Sequence, residues 1–322
     1  MKPVLAVVGP TGSGKTRLGI ELALLLNGEI VSADSMQFYR GMEIGTATPT
    51  PEEQAQAAHH FVSFLEPDRD MAAGEYQRLA RVRIADMQAR GKTAVVVGGS
   101  GLYLRALMDG LFDGPPRDEA IRTRLREEAL AHGNARLMAR LREIDPDYAA
   151  TLSSENDQVR IVRALEVCEA SGSTLTALHR RHREALEPMP VLQVGIRMDR
   201  AVLYRRIDQR VDMMLEAGWV AETARLLEAG YGPHLDRLKA LGYRELAAHL
   251  RGEQDLATAV AATKQHHRRY AKRQLTWFRA DPRIHWVDWD PREGADVLLR
   301  QALGLWNGAV SGLSGSAATH HL

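Results

Sequence analysis

The chain has 322 residues, of which 45% are hydrophobic and 26% charged, proportions ordinary for a globular protein and wrong for a disordered one. With 42 Lys+Arg against 41 Asp+Glu, the net charge of +1 excludes a chain that is basic throughout, so a nucleic-acid partner has to be met by a local patch. A single cysteine, Cys168, excludes an intramolecular disulfide framework and a Cys-cluster metal site, and it suits a reducing compartment. No stretch approaches ~18 consecutive apolar residues, and the apolar run that opens the chain is too short for a signal-peptide core. The reading is a cytoplasmic protein with no membrane partner.

Residues 3–8 (PVLAVV) form a continuous apolar, Val-rich run, the pattern of a strand buried on both faces. The next residues, Gly9-Pro10-Thr11-Gly12-Ser13-Gly14-Lys15-Thr16, fit G-x-x-x-x-G-K-[ST], and helical apolar spacing follows as far as Gly28. Strand, glycine loop and helix in that order make a phosphate-binding loop. The glycines turn backbone N–H groups inward and the helix N-terminus adds partial positive charge. Lys15 neutralises phosphate oxygen, and Thr16 offers a hydroxyl to Mg²⁺. The motif specifies a di- or triphosphate without specifying which bond breaks.

Residues 29–33 (EIVSA) read as a second strand closing on Asp34. A carboxylate there sits at the carboxyl edge of the sheet, where ligands bind in such folds. It is a metal organiser or a general base, or it merely caps a loop. The polar stretch 34–58 is long enough to suggest function. A helix is expected over 72–90, a strand over 93–97, then Gly98-Gly99-Ser100-Gly101 and another helix. This alternation predicts a parallel sheet flanked by helices, a P-loop NTPase-like α/β core.

After Gly114-Pro115-Pro116 the chain reads as helix after helix to about 185, an all-α insertion. A strand pattern returns at 191–198. Helices are expected over 200–217, 219–229, 240–250 and 254–278, and a last strand over 284–288. The expected domains are a discontinuous core, 1–114 with 190–307, and a helical insertion, 115–189. The Gly/Ser/Ala-rich segment 308–322 reads as a disordered tail. No exposed heptad pattern argues for assembly, so a monomer is expected.

Two clusters of cations stand out. Arg206 and Arg210 lie four apart on one helix face, which is either functional or an ordinary solvated face. Residues 256–280 carry Lys264, Arg268, Arg269, Lys272, Arg273 and Arg279 without an acid, an electrostatic footprint for a nucleic-acid backbone. Tyr270, Trp277 and Phe278 interleave with them and either stack on bases or belong to the core. Taken alone, the phosphate loop favours a small-molecule kinase, but the strand at 93–97 ends without the acid that such an enzyme uses for Mg²⁺.

Six ordered blocks together resemble one family, the tRNA dimethylallyltransferases. They are GPTGSGKT, SADSMQFYRGMEIGTA, VVGGSGLY, RALEV, LGYREL and the TKQ-to-WFR stretch at 263–279. The resemblance implies transfer of a dimethylallyl group from dimethylallyl diphosphate to N6 of the adenosine at tRNA position 37, with a P-loop that holds a leaving diphosphate instead of a phosphoryl donor. Mg²⁺ is the implied cofactor and the tRNA anticodon stem-loop the implied partner.

It further implies catalytic roles for Asp34, Ser100 and Arg210. Asp34 would take the N6 proton, Ser100 stands where the family usually has Thr, and Arg210 would contact the donor. Ser100 also suits a helix N-cap. The implied tRNA contacts are Asp34, Ser35, Met36, Gln37 and Ser100; Arg122 with Val159, Arg160, Ile161, Val162 and Arg163; Lys239, Ala240, Leu241, Gly242, Tyr243 and Arg244; and Arg268, Lys272 and Arg273. Thr48 replaces a family lysine, which would weaken any backbone contact from that position.

Overall fold

The computed structural model describes residues 3–111, 114–185, 189–238 and 240–317. In chain order the first elements are β1 (Val4–Val8), α1 (Lys15–Leu25), β2 (Gly28–Ser32), α2 (Pro51–Gln56), β3 (His59–His60), α3 (Ala73–Ala89), β4 (Thr93–Gly98) and α4 (Gly101–Asp109). Next come α5 (Glu119–His132), α6 (Asn134–Ile144), α7 (Pro146–Ala150), α8 (Gln158–Ser171) and α9 (Leu175–Ala185). The chain returns through β5 (Val191–Arg197), α10 (Arg200–Glu216), α11 (Trp219–Glu228), α12 (Gly232–Leu238), α13 (Tyr243–Leu250), α14 (Leu256–Arg279), β6 (Ile284–Asp288) and α15 (Ala295–Ala317). It divides into two compact units, 1–108 with 189–322, and 109–188.

The larger unit is built on a six-stranded, all-parallel sheet in the order β3-β2-β4-β1-β5-β6. Successive side chains of a strand point to opposite faces, and both faces here are apolar, so two cores form. Val4, Ala6, Val8, Val31, Val96 and their neighbours meet Tyr76, Ile84 and Met87 of α3, Leu104 and Leu107 of α4, and Phe278 of α14. Leu5, Val7, Ile30, Val95, Val97, Val194 and Ile196 meet α1 and Leu298, Ala302 and Trp306 of α15. This double burial explains the unbroken Val-rich runs of the sequence.

The segment 34–58, expected as loop, ends in the short helix α2. Thr50 caps it, accepting from Glu53 N–H, and Pro51 opens its first turn. α12 was also unanticipated; Leu235 anchors it in a third cluster with Trp219, Tyr243 and Met42. The reading of 308–322 as a disordered tail needs correction, because α15 runs on to Ala317 and Ala309 and Val310 pack against the sheet's second face. Glycines lower helix propensity there, and the helix is anchored upstream by the buried Leu298, Ala302 and Trp306. Residues 318–322, with His320-His321, lie outside the described residues. Among those described, no helix is long and apolar enough to cross a membrane.

The smaller unit is all helical around a core that includes Leu125, Leu137, Leu141, Ile161 and Leu165. Its polar centre is Glu166, which is fully buried. Glu166 Oε1 accepts from Asp118 N–H at 2.8 Å and from Arg122 Nε at 2.9 Å, and Oε2 accepts from Arg163 at 2.9 Å. Burial pushes this carboxyl up, but the Arg122, Asp118 and Arg163 bonds outweigh it and hold it at about 2.

Two predictions follow from these packing arrangements. Trp306→Ala should lower stability by about 3–5 kcal/mol in urea unfolding, because it empties a core site; a change within experimental error would mean α15 does not cover the sheet. Glu166 ordinarily titrates near 4.5, so its depressed value adds stability above that pH that is lost as pH falls toward about 2. Glu166→Gln should cost about 3 kcal/mol at neutral pH and flatten part of the acid limb of the unfolding curve.

Candidate active site

The phosphate loop joins β1 to α1 at the carboxyl edge of the sheet. Gly12 and Gly14 hold φ of 81° and 92°, a left-handed backbone open to glycine at little cost. At Gly12 even a bare Cβ would sit 3.0 Å from Ile207 Cγ1 of α10, so the cradle is shaped by the helix behind it. Three side chains fix the loop. Gln274 of α14 accepts from Thr11 N–H at 2.8 Å and donates to Gly99 O at 2.9 Å. Arg206 Nε donates to Gly12 O at 2.9 Å, and Arg210 donates to Thr11 Oγ1 at 3.3 Å.

One cavity of about 240 Å³ opens in front of the loop. Thr11, Lys15, Thr16 and Arg210 line its anion-binding side, with Asp34, Ser35, Met36 and Gln37 beside them. Ala240, Leu241, Tyr243, His267, Tyr270 and Arg273 are among the others that line it. Lys15 Nζ donates to Pro10 O at 2.7 Å. Desolvation lowers its ammonium to about 8; Asp34 pulls it upward and Arg210 pushes it down. Burial likewise lowers the Arg210 guanidinium. The site thus concentrates cations against their solvation preference, a state that an incoming polyanion relieves.

Asp34 follows β2, and its Oδ1 accepts from Met36 N–H at 3.1 Å. Ser100 lies after β4. Its Oγ accepts from Ser35 N–H at 3.1 Å and pairs with Ser35 Oγ at 3.2 Å, which ties the two strand ends together behind the carboxylate. Gln37, buried, accepts from Ser32 Oγ and donates to Ala47 O, pinning the polar loop.

The structure brings together many of the residues expected from sequence: the phosphate loop, Asp34, Ser35, Met36, Gln37, Arg210, Ala240, Leu241, Tyr243 and Arg273 all line the cavity or its loop, with Ser100 braced behind Asp34. Others have different duties. Arg122 and Arg163 are committed to Glu166, while Ile161 and Val162 are buried in the core of the smaller unit. Of that stretch, Val159 and Arg160 are exposed. Gly242, at φ 87°, opens α13 and lies against the Trp219 ring. Arg244 is exposed, and Lys239 lies outside the described residues. Arg268 is paired with Asp208 at 2.6 Å, whereas Lys272 and Arg273 are exposed. Thr48 is buried and bonded to Thr46 Oγ1, so this side chain does not face a partner.

Arg206, read from sequence as functional or solvated, holds the loop. Three contributors escaped the sequence reading: Gln274, His267 and Tyr270 as a polar residue. His267 lines the cavity, its Nε2 has no hydrogen-bond partner, and burial together with Arg210 lowers it to about 4, so the imidazole is neutral. Burial raises the Tyr270 phenol, which keeps its proton beside Ser100 and Gln274. Within a helix dense in Arg and Lys, the only sequence signal for these was their place on the face opposite the exposed cations.

A parallel sheet with a glycine cradle at its carboxyl edge, a lysine and an arginine over that cradle and a carboxylate alongside defines a P-loop phosphate-binding protein of the α/β class. A family model described as IPP transferase matches residues 37–281. The tRNA dimethylallyltransferase of Syntrophobacter fumaroxidans is 48% identical over 286 residues, covering 89% of this chain and 83% of that protein. The tRNA dimethylallyltransferase 1 of Pelobacter propionicus is 46% identical over 295 residues, covering 92% and 95%. The crystal structure of the tRNA isopentenylpyrophosphate transferase from Bacillus halodurans superposes with a TM-score of 0.70 at 36% identity, covering 98% of this chain and all of that one. A eukaryotic dimethylallyltransferase, in crystallographic snapshots described as acting on tRNA, gives a TM-score of 0.76 at 26% identity, covering 89% and 74%. The chain belongs to the tRNA dimethylallyltransferase family.

Lys15 gives this site a pH signature. An anion favours the ammonium, so inorganic diphosphate should bind with proton uptake above pH about 8, its affinity falling by up to about tenfold per pH unit there. Calorimetry in buffers of different ionisation enthalpy reads the uptake, and in Lys15→Met this component should vanish. The same depression means the folded state resists the Lys15 proton, a penalty relieved as pH rises from about 8 towards 10.5.

Proposed function

We propose that this protein transfers a dimethylallyl group from dimethylallyl diphosphate to N6 of the adenosine at position 37 of tRNA, releasing diphosphate. The observation that carries this reading is a cavity in which phosphate-binding residues and the Asp34 carboxylate face one space. The loop N–H groups, Lys15 and Arg210 take the diphosphate end of the donor. As the bond between C1 and the bridging oxygen breaks, its electron pair leaves with the diphosphate, and fixed donors stabilise the charge without reorganising. The adenine amine forms the new bond to C1. Its lone pair is delocalised into the ring, so removal of its proton by Asp34 as the bond forms contributes about 10²–10⁴-fold in rate. Ser100 and Ser35 position Asp34 through the bonded strand ends. His267 and Tyr270 present a neutral nitrogen and a protonated phenol, polar groups suited to the edge of a purine.

The residues also fit Mg²⁺. The cradle offers the oxygen of the Thr16 hydroxyl, the donor type a hard cation prefers. Among the described residues no cluster of three or more His, Cys, Asp or Glu forms a cage, which suits an ion held largely by substrate phosphates. Bound there, Mg²⁺ supplies charge neutralisation for the leaving diphosphate.

The kinase reading is disfavoured by β4, which ends in Gly98-Gly99 instead of an acid. Incubation with tRNA, dimethylallyl diphosphate and Mg²⁺, without nucleoside triphosphate, should add one C5H8 unit to the tRNA by mass spectrometry; a strict requirement for ATP would refute the reading. Asp34→Ala should lower kcat by about 10²–10⁴-fold while donor affinity persists, whereas Lys15→Ala should lose donor affinity as well. Equal loss of donor binding in both variants would overturn this division of labour.

A further inference from the structure

α14 carries two faces of use. On one, Gln274 reaches the phosphate loop and His267 and Tyr270 line the reaction cavity; the other borders a separate open groove of about 590 Å³. Arg105 of α4 and Arg269, Lys272, Arg273, Thr276 and Trp277 of α14 line this groove, and no acid is among its lining residues. Arg273 lines both the groove and the reaction cavity, so the two adjoin. Arg269, Lys272 and Arg273 are exposed, and the Arg105 guanidinium lies 4.6 Å from the centre of the Trp277 ring.

This cation–π pair is held in place from behind. The indole lies so close to the start of α4 that a Cβ on Gly101 would come within 2.2 Å of Trp277 Nε1, so only glycine admits the ring. The rest of the indole packs against the core beneath the sheet. A planar guanidinium lying over a fixed indole, edged by three exposed cations and no acid, has the chemistry of a stacking platform for one base of a single strand. Stacking is worth something only where a base is unpaired, and a base drawn into the cavity leaves its neighbours unstacked.

We propose that the Arg105–Trp277 pair is a nucleotide subsite: it stacks a base adjoining the target adenosine in the RNA, while Arg269, Lys272 and Arg273 neutralise the phosphates that lead to it. This rests on the reading that RNA is the acceptor. The subsite holds the strand beside the opening, so that capture of the target base does not rely on the cavity alone.

The test couples protein to RNA. Anticodon stem-loops are made with an abasic residue on the 5′ or the 3′ side of the target adenosine, and binding is followed by fluorescence anisotropy at fixed salt. In the wild-type protein one of the two substitutions should weaken binding by about tenfold. In Arg105→Ala or in Trp277→Leu that penalty should shrink to within about twofold. Thermal unfolding and diphosphate binding confirm that each variant is folded, and the exposed Arg105 provides a result should Trp277→Leu be unstable. Loss of the penalty in either variant supports the subsite. Its persistence in both, or its absence from the wild type at both positions, overturns it. Prenylation of the intact stem-loop is read separately by mass, so failure of the acceptor reading appears as an unmodified RNA and failure of the subsite as an unchanged abasic penalty.

Discussion

The interaction on which the site depends is the double hydrogen bond of Gln274. Its side-chain oxygen accepts from Thr11 N–H in the phosphate loop, and its nitrogen donates to Gly99 O at the end of β4. One buried amide therefore joins two glycine turns from different strands and fastens both to α14. The contact is close enough that a Cβ on Gly99 would come within 2.2 Å of Gln274 Nε2, so the second glycine turn is shaped around this side chain as the first is shaped around α10. A loop that must present backbone N–H groups to a polyanion cannot relax towards its own helix, and here side chains from α10 and α14 prevent it.

From that clamp the rest follows in layers. α14 delivers Gln274 to the loop and His267 and Tyr270 to the cavity from one side, and its exposed cations to the surface from the other. α10 delivers Arg206 to a loop carbonyl and Arg210 to the cavity. The cationic charge is desolvated enough to depress Lys15 and Arg210, and Asp34 stands close enough to act on both. Such an arrangement is unstable electrostatically and stable mechanically. The fold holds it through the two apolar cores on either face of the sheet, one of which is closed by α15.

The smaller unit uses its charges differently. Arg122 and Arg163 look like surface cations in a sequence, yet both converge on the fully buried Glu166 and close the start of α5 against α8. Removing a partner from such a network leaves a charge without compensation, so these arginines organise the helices that display Val159 and Arg160.

The sequence by itself determined the parallel core, the phosphate loop and the position of Asp34, because each is a local matter: a Val-rich run, a glycine spacing, an acid closing a strand. It also carried the family in six ordered blocks. The tertiary structure alone decided which cations are paired and which are exposed, as with Arg268 on Asp208 against the exposed Lys272, and which polar residue clamps the loop. It decided too that the glycine-bearing segment 308–317 continues a helix, because the second face of the sheet rewards the spacing of Leu298, Ala302 and Trp306 earlier in α15. Propensity and motif act over a few residues, whereas pairing, burial and desolvation are settled by neighbours hundreds of positions away, as Thr11 and Gln274 are.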